Sequence, residues 1–161
     1  MSLLTIYVTN SFSYSFFVDG IFYNILQGNT VEVTHDRSSY YSGDIVIPPT
    51  VTYNGHEYTV TAIGNYAFSN SGSFAKSKIK SISLPNTITN IGLKSFEGSE
   101  INILSLPESV NEIKMYAFSG CSSLKTIIIP QKVKIINEGV FEGCSSLTSI
   151  TIPNSVTTIF L

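Results

Sequence analysis

The chain has 161 residues, a net charge of −2 and only 12% charged residues, a length that fits one domain. The low charge and the absence of a basic run exclude the electrostatic footprint of a nucleic-acid-binding protein. No apolar stretch reaches the ~18 residues that a membrane-spanning helix needs. Serine, threonine and asparagine supply the polarity, which favours β-structure with many turns.

Residues 1–42 do not repeat. They begin without the basic residues of a signal peptide, the Asp19-Gly20 pair predicts a hairpin, and residues 30–34 alternate as a strand. We interpret this segment as a β-rich N-terminal cap on the repeats that follow, because the first coil of a solenoid exposes an apolar end. Its many aromatic residues leave a sugar-binding platform as the alternative, which changes at Tyr40 or Tyr41 would test.

Residues 43–76 read as a degenerate first repeat. The segment opens with Ile45-Val46-Ile47-Pro48, and Asn54-Gly55 between alternating residues predicts an inserted hairpin. The repeat pattern resumes at Ala67-Phe68. The serine-rich run that follows delays the next strand.

The rest of the chain repeats one strand pattern, which ends each time in proline, at positions 22 or 23 residues apart: Pro85, Pro107, Pro130 and Pro153. Such a period predicts a solenoid, in which each unit buries its apolar face against its neighbours. We predict a right-handed solenoid with one parallel sheet, built from residues near 45–47, 79–84, 101–106, 124–129 and 147–152. Alternation places Ile127 and Ile129 inside and Ile128 outside.

A second pattern repeats with the same spacing as the first, and its central residue is a phenylalanine. We expect a short helical turn there and one buried stack made of Phe68, Phe96, Phe118 and Phe141. The glycine that precedes each turn, at Gly64 and Gly92, is expected to adopt an unusual backbone angle.

Cys121 and Cys144 occupy equivalent places in successive coils. Equivalent residues stack about 5 Å apart, which makes a disulfide conceivable. We favour a ladder of buried, reduced thiols, because stacked side chains run parallel and a disulfide needs a specific geometry. A metal pair is less favoured, since no further cysteine or histidine lies nearby in the repeat.

Residues 147–161 form a partial coil that ends on the apolar pair Phe160-Leu161. Exposed apolar surface and unpaired strand edges recruit partners. The sequence therefore predicts self-association through this last coil, or fraying of it.

No motif for catalysis, phosphate binding or metal binding is present, so we predict no enzymatic activity and no cofactor. His35 and His56 fall in turn or hairpin contexts, where surface histidines are common. The carboxylates occur singly, without the paired arrangement of a glycosidase.

The outward face of the predicted sheet is the candidate binding surface for a protein ligand. Four of its eleven residues carry a hydroxyl, three are charged, three are apolar and one is asparagine. The candidates are Asp44, Val46, Lys80, Ser81, Ser83, Asn102, Ile103, Ser105, Lys125, Thr126 and Ile128.

The patterns Leu-x-x-Ile-x-Ile-Pro, Val-x-x-Ile-Gly and Ala-Phe-x-Gly-Cys resemble the BspA-like leucine-rich repeats over residues 43–161, although Lys114 and Asn137 replace the glycine. The resemblance implies a β-rich leucine-rich-repeat solenoid at the cell surface or in a secreted protein. It also implies a non-catalytic module for protein interaction or adhesion, with host extracellular matrix or another surface protein as partner. No catalytic or ligand residues come with the family. A carbohydrate-binding accessory domain that uses the aromatic cap is the alternative.

Overall fold

The computed structural model describes residues 14–36, 40–70 and 77–160. Within these residues the chain forms strands and turns and no helix. The strands are β1 (Phe16–Val18), β2 (Ile21–Ile25), β3 (Thr30–Thr34), β4 (Ser42–Val46), β5 (Thr50–Tyr53), β6 (His56–Ile63), β7 (Lys78–Ser83), β8 (Asn90–Ile91), β9 (Glu112–Ile113), β10 (Thr126–Ile128), β11 (Ile135–Ile136), β12 (Ser149–Thr151) and β13 (Thr158–Ile159).

The N-terminal strands form an antiparallel layer that joins the repeats. β1 pairs with β2 across the predicted Asp19-Gly20 turn, in which both residues have positive φ, and β2 pairs with β3. β3 then runs parallel to β6, whose hairpin with β5 turns at the predicted Asn54-Gly55. The ring of Phe16 stacks on that of Tyr53, with centroids 4.4 Å apart. The layer and the inserted hairpin therefore share one core.

The first wall of the repeats is the predicted parallel sheet, but it is interrupted. β4 pairs with β7 and β10 pairs with β12, whereas residues 101–106 make only the single bridge from Ile103 to Thr126. Two consecutive exposed residues break the alternation at residues 80–81, 102–103 and 125–126, and the β4–β7 register shifts where β7 has this break. Such a bulge leaves a residue unpaired and disrupts the ladder locally. The prediction of one continuous sheet was wrong in this respect.

A second wall, which the sequence did not resolve into strands, carries its own parallel pairs. β6, β8 and β9 form one ladder, and β11 pairs with β13. The Asn137 side-chain amide donates to the Ile113 carbonyl at 2.7 Å, so it connects β9 to the β11 coil. Ile63, Ile91, Ile113 and Ile136 point from this wall into the core.

The third wall consists of four turns around the phenylalanines, named the Phe turns here, at residues 64–70, 92–98, 114–120 and 137–143. In the first three turns, alternate N–H groups donate to the next coil, and the groups between them donate within the turn. The N–H groups of Lys94, Phe96 and Gly98 donate to the carbonyls of Met115, Ala117 and Ser119 at 3.2, 2.8 and 2.7 Å. An α-helix would use these N–H groups for hydrogen bonds within the helix. The prediction of short helical turns was therefore wrong.

The glycine prediction was also wrong. Gly64 and Gly92 lack positive φ, which occurs two residues later, at Tyr66 and Lys94. A Cβ atom at Gly92 would lie 2.6 Å from the carbonyl carbon of Gly64. Glycine is therefore required here for close approach of two backbones.

The predicted phenylalanine stack is confirmed. Its ring centroids lie 5.4, 5.4 and 5.7 Å apart from Phe68 to Phe141, and all but Phe141 are fully buried. Tyr41 continues the stack, with its centroid 4.8 Å from that of Phe68. One column of rings thus joins the N-terminal layer to the last coil.

We expect Ser95→Ala to stabilise the protein by about 1 kcal/mol. The Ser95 side chain is fully buried, and its hydroxyl has no hydrogen-bond partner in the described part of the chain. An unpaired buried polar group costs free energy, and the sister coils carry Ala67 and Ala117 at this place. Urea denaturation measures the change. As a control, Ser109→Ala should lower stability, because the Ser109 hydroxyl donates to the Ile88 carbonyl. Equal effects of both changes would contradict this account.

Candidate functional site

All eleven candidate residues are exposed, and they follow the first wall from the N-terminal to the C-terminal coils. Asp44 pairs in register with Ser81, Val46 with Ser83, and Ser81 donates a 2.8 Å hydrogen bond to the Asp44 carboxylate. The exposed set is Asp44, Val46, Lys80, Ser81, Ser83, Asn102, Ile103, Ser105, Lys125, Thr126 and Ile128, called the sheet face below.

The sheet face contains three large apolar side chains that water reaches. Val46, Ile103 and Ile128 are 70%, 68% and 64% exposed. Ile103 pairs with Thr126, and Ile128 lies two residues further along the same strand. The two isoleucines therefore lie on adjacent segments of the first wall, two register positions apart, and we call this exposed pair the apolar patch.

Val46 lies instead at the N-terminal end of the sheet face, beside two cavities of about 440 and 340 Å³. Both cavities are lined by Val46 together with Asp19 and Ile21 of the β1–β2 hairpin. Asp44 lines the smaller one. Sequence reasoning missed Asp19, because its approach to β4 depends on how the N-terminal layer packs.

The two tyrosines of the sugar-platform hypothesis lie in different environments. Tyr40 is 60% exposed, whereas Tyr41 is 5% exposed. The Tyr41 hydroxyl donates to the Thr34 carbonyl at 2.6 Å and accepts from the Phe22 N–H at 2.9 Å. Burial raises the pKa of Tyr41 well above its usual value. Tyr41 is thus a core residue and offers no ring to a sugar.

Cys121 and Cys144 are free thiols, as predicted, with Cys121 buried and Cys144 half-buried. Each thiol donates to a carbonyl of the preceding coil, Cys121 to Phe96 at 3.0 Å and Cys144 to Phe118 at 3.1 Å. Burial raises the pKa of Cys121 to about 12 and also raises that of Cys144. Because the thiolate is the nucleophile, both thiols are poor nucleophiles at neutral pH.

Among the described residues, no group of three or more histidine, cysteine or acidic side chains is placed to hold a metal ion. His56 lies exposed at the start of β6. In the same part of the chain, no helix has the length and apolar character needed to cross a membrane.

The last coil exposes apolar side chains at Ile150, Ile152, Ile159 and Phe160. A cavity of about 510 Å³ lies at this end and is lined by Phe141 and nine further residues. β12 and β13 pair on one side only within the described chain. This end is a second candidate surface.

Three solved structures of bacterial proteins are similar to this chain. A leucine rich cell surface protein from Faecalibacterium prausnitzii is 27% identical with a TM-score of 0.63, over 89% of this chain and 44% of that one. The pneumococcal vaccine antigen PcpA (22%, TM-score 0.66, 92% and 40%) and a leucine-rich repeat protein from Bacteroides capillosus (24%, TM-score 0.50, 90% and 96%) share the fold. The chain thus spans less than half of the Faecalibacterium protein.

No curated protein matches the sequence. Residues 70–160, more than half of the chain, match the BspA type leucine rich repeat region in six copies. Three of the four stacked phenylalanines, Phe96, Phe118 and Phe141, lie within this segment. The chain therefore belongs to the family of BspA-type leucine-rich repeat proteins.

Proposed function

We propose that this chain is a non-catalytic protein-binding or adhesion module of a cell-surface or secreted protein, and that it binds its partner through the sheet face. Family membership supports the binding role, and the likeness to a leucine rich cell surface protein supports the location. The proposed partner is a protein of the host extracellular matrix or of another cell surface. In this proposal residues 1–42 cap a right-handed solenoid formed by residues 43–161.

The observation that carries the proposal is the exposed patch of Ile103 and Ile128. Large exposed apolar side chains on a largely polar face are typical of a contact centre, which a partner desolvates. Lys125 lies in the same coil as Ile128 and Lys80 lies in β7, and both exposed lysines add positive charge to the sheet face. A partner with an apolar centre and acidic rim would complement this surface.

We expect the double variant Ile103→Thr, Ile128→Thr to reduce binding by about tenfold or more, since each contact-centre side chain contributes at least ~1 kcal/mol. Ile103 pairs in register with Thr126, and Ile128 pairs with Thr151. Threonine thus already occupies the paired positions, so the strand should remain intact. Surface plasmon resonance against immobilised matrix proteins and binding to whole cells provide the measurement.

The matched control is Ile135→Thr on the second wall, because Ile135 is also exposed and pairs with Thr158. The control variant should bind like the unmodified chain. If control and double variant lose binding equally, or if neither does, the sheet face is not the binding surface.

Carbohydrate binding by the N-terminal aromatics is the second candidate, and Tyr40 is the residue that favours it. Its exposed ring lines the cavity that Asp19 and Asp44 also line. Loss of glycan binding on Tyr40→Ala, with the fold intact, would support this function.

Self-association through the last coil stays a prediction. Sedimentation of the chain over a range of concentrations tests it. A monomer throughout that range would contradict self-association and leave the sheet-face proposal unaffected.

A further inference from the structure

The N-terminal strands curl so that β1 and β5 approach each other without pairing. The strands lie in the order β1, β2, β3, β6 and β5, and in the described chain β1 and β5 each pair on one side only. The ring of Phe16 in β1 stacks on that of Tyr53 in β5, with centroids 4.4 Å apart. Further along both strands lies the cavity of about 440 Å³, which Val18, Thr50 and Thr52 line. We call this opening between the two strands the edge cleft.

The outer edge of β5 carries main-chain groups that make no backbone hydrogen bond to any described residue, those of Thr50 and Thr52. Thr59, which pairs with Thr50 in register, donates its N–H to the Asn29 carbonyl at 3.0 Å and therefore not to β5. Bonded and non-bonded pairs alternate in an antiparallel ladder, so the N–H and carbonyl groups of Thr50 and Thr52 point away from β6. Such an edge is a template for a further strand.

The edge cleft is mainly apolar inside and carries a negative charge at its rim. Ile21, Tyr23 and Val51 line it and are buried, whereas Asp19 lines it and is exposed. No lining residue in the described chain is basic. A strand added to β5 would direct alternate side chains into the cleft. The cleft therefore suits an extended segment that carries an apolar side chain and no excess of negative charge.

We propose that the edge cleft binds an extended polypeptide segment of another protein, which adds a strand to the outer edge of β5. Its main chain pairs with Thr50 and Thr52, and the apolar side chain opposite Val51 enters the cleft. A polypeptide main chain supplies N–H and carbonyl groups at the spacing that an edge strand presents. The edge cleft is separate from the apolar patch, although Val46 of the sheet face lines it.

A second copy of this chain is a poor occupant through its own β5. In the added strand, the residue opposite Val51 points to the same side of the sheet as Val51, towards the cleft. The inward side chains of β5 in a second copy, Val51 and Tyr53, already pack in the core of that copy. They are therefore not free to fill the cleft, and a segment with an unburied apolar side chain is the better occupant.

The experiment titrates a synthetic peptide into the full-length, isotope-labelled chain. The peptide is acetylated and amidated, alternates threonine and valine, and ends in a lysine. Because pairing through the main chain tolerates many side chains, this strand-forming peptide is a suitable probe. We expect the amide signals of Thr50 and Thr52 to shift and to become protected from hydrogen exchange.

Two matched pairs test the main-chain contact. With valine directed into the cleft, the threonine N–H groups of the peptide face β5. N-methylation of the threonines should therefore weaken binding by at least about tenfold, whereas N-methylation of the valines should change it little. In the protein, Thr52→Pro removes one edge N–H and should weaken binding by about fivefold. Thr52→Ser keeps that N–H and should bind the peptide like the unmodified chain.

Equal binding of the two methylated peptides would overturn the proposal, as would the absence of shifts at Thr50 and Thr52 at millimolar peptide. Protection of these two amides before peptide is added would also overturn it, because the edge would then already be paired. If Thr52→Pro disrupts the β5–β6 hairpin, the methylated peptides decide the question alone.

The edge cleft and the sheet face can be tested independently. The double variant Ile103→Thr, Ile128→Thr should leave peptide binding unchanged, because neither residue lines the edge cleft. Loss of peptide binding in this variant would overturn the assignment of the peptide to the edge cleft. Failure of the edge cleft to bind the peptide would leave the sheet-face proposal unaffected.

Discussion

Phe118→Ala is expected to lower the free energy of unfolding by about 3–5 kcal/mol, the range for removing a large side chain from a core. The Phe118 ring stacks on both Phe96 and Phe141, so its loss opens a void with an aromatic wall on either side. The backbone around it is held by bonds to both neighbouring coils, which limits collapse into the void. Urea denaturation followed by far-ultraviolet circular dichroism measures the change.

The matched control for this prediction is Phe160→Ala, because Phe160 is largely exposed in the last coil. It should change stability by less than about 1 kcal/mol. A similarly small change for Phe118→Ala would show that the stack does not hold the coils together.

Tyr41→Phe should cost about 2–4 kcal/mol, although it removes a single oxygen atom. That oxygen satisfies two backbone groups, the Phe22 N–H and the Thr34 carbonyl, and each unsatisfied buried group costs ~1–3 kcal/mol. The ring itself remains, so the contact with Phe68 is kept. Thermal and urea unfolding should both report the loss.

Tyr40→Phe is the control next in sequence. Tyr40 is exposed, so the same change should stay within about 0.5 kcal/mol. If both variants behave alike, the Tyr41 hydroxyl does not stabilise the protein through its bonds to β2 and β3.

The repeat pattern predicts much of this fold, because local alternation decides which side chains face inward. Ile127 and Ile129 are buried, Ile128 is exposed, and the phenylalanines stack. These properties depend on residues close together in sequence. The exposed pairs Lys80-Ser81, Asn102-Ile103 and Lys125-Thr126 of the sheet face depart from this alternation.

Features that depend on distant backbone groups could not be predicted in this way. The sequence does not distinguish Tyr40 from Tyr41, since the burial of Tyr41 depends on partners in β2 and β3. Hydrogen bonds from alternate N–H groups join neighbouring Phe turns and prevent the expected helical turns. The sequence of a single repeat does not reveal these bonds. The cavities beside Val46 require the β1–β2 hairpin to approach β4, which depends on tertiary packing.

The interruption of the first wall has a thermodynamic consequence. Each coil of a solenoid contacts only its neighbours, so stability is a sum over junctions, and partial opening is expected at the weakest one. The junction between residues 101–120 and 124–143 has a single bridge on the first wall and no ladder between β9 and β11 on the second, so the Phe turns alone bond it fully. Cooperativity should be lowest there, and the coils beyond it can open while the N-terminal half stays closed. A single midpoint temperature then describes neither half of the molecule.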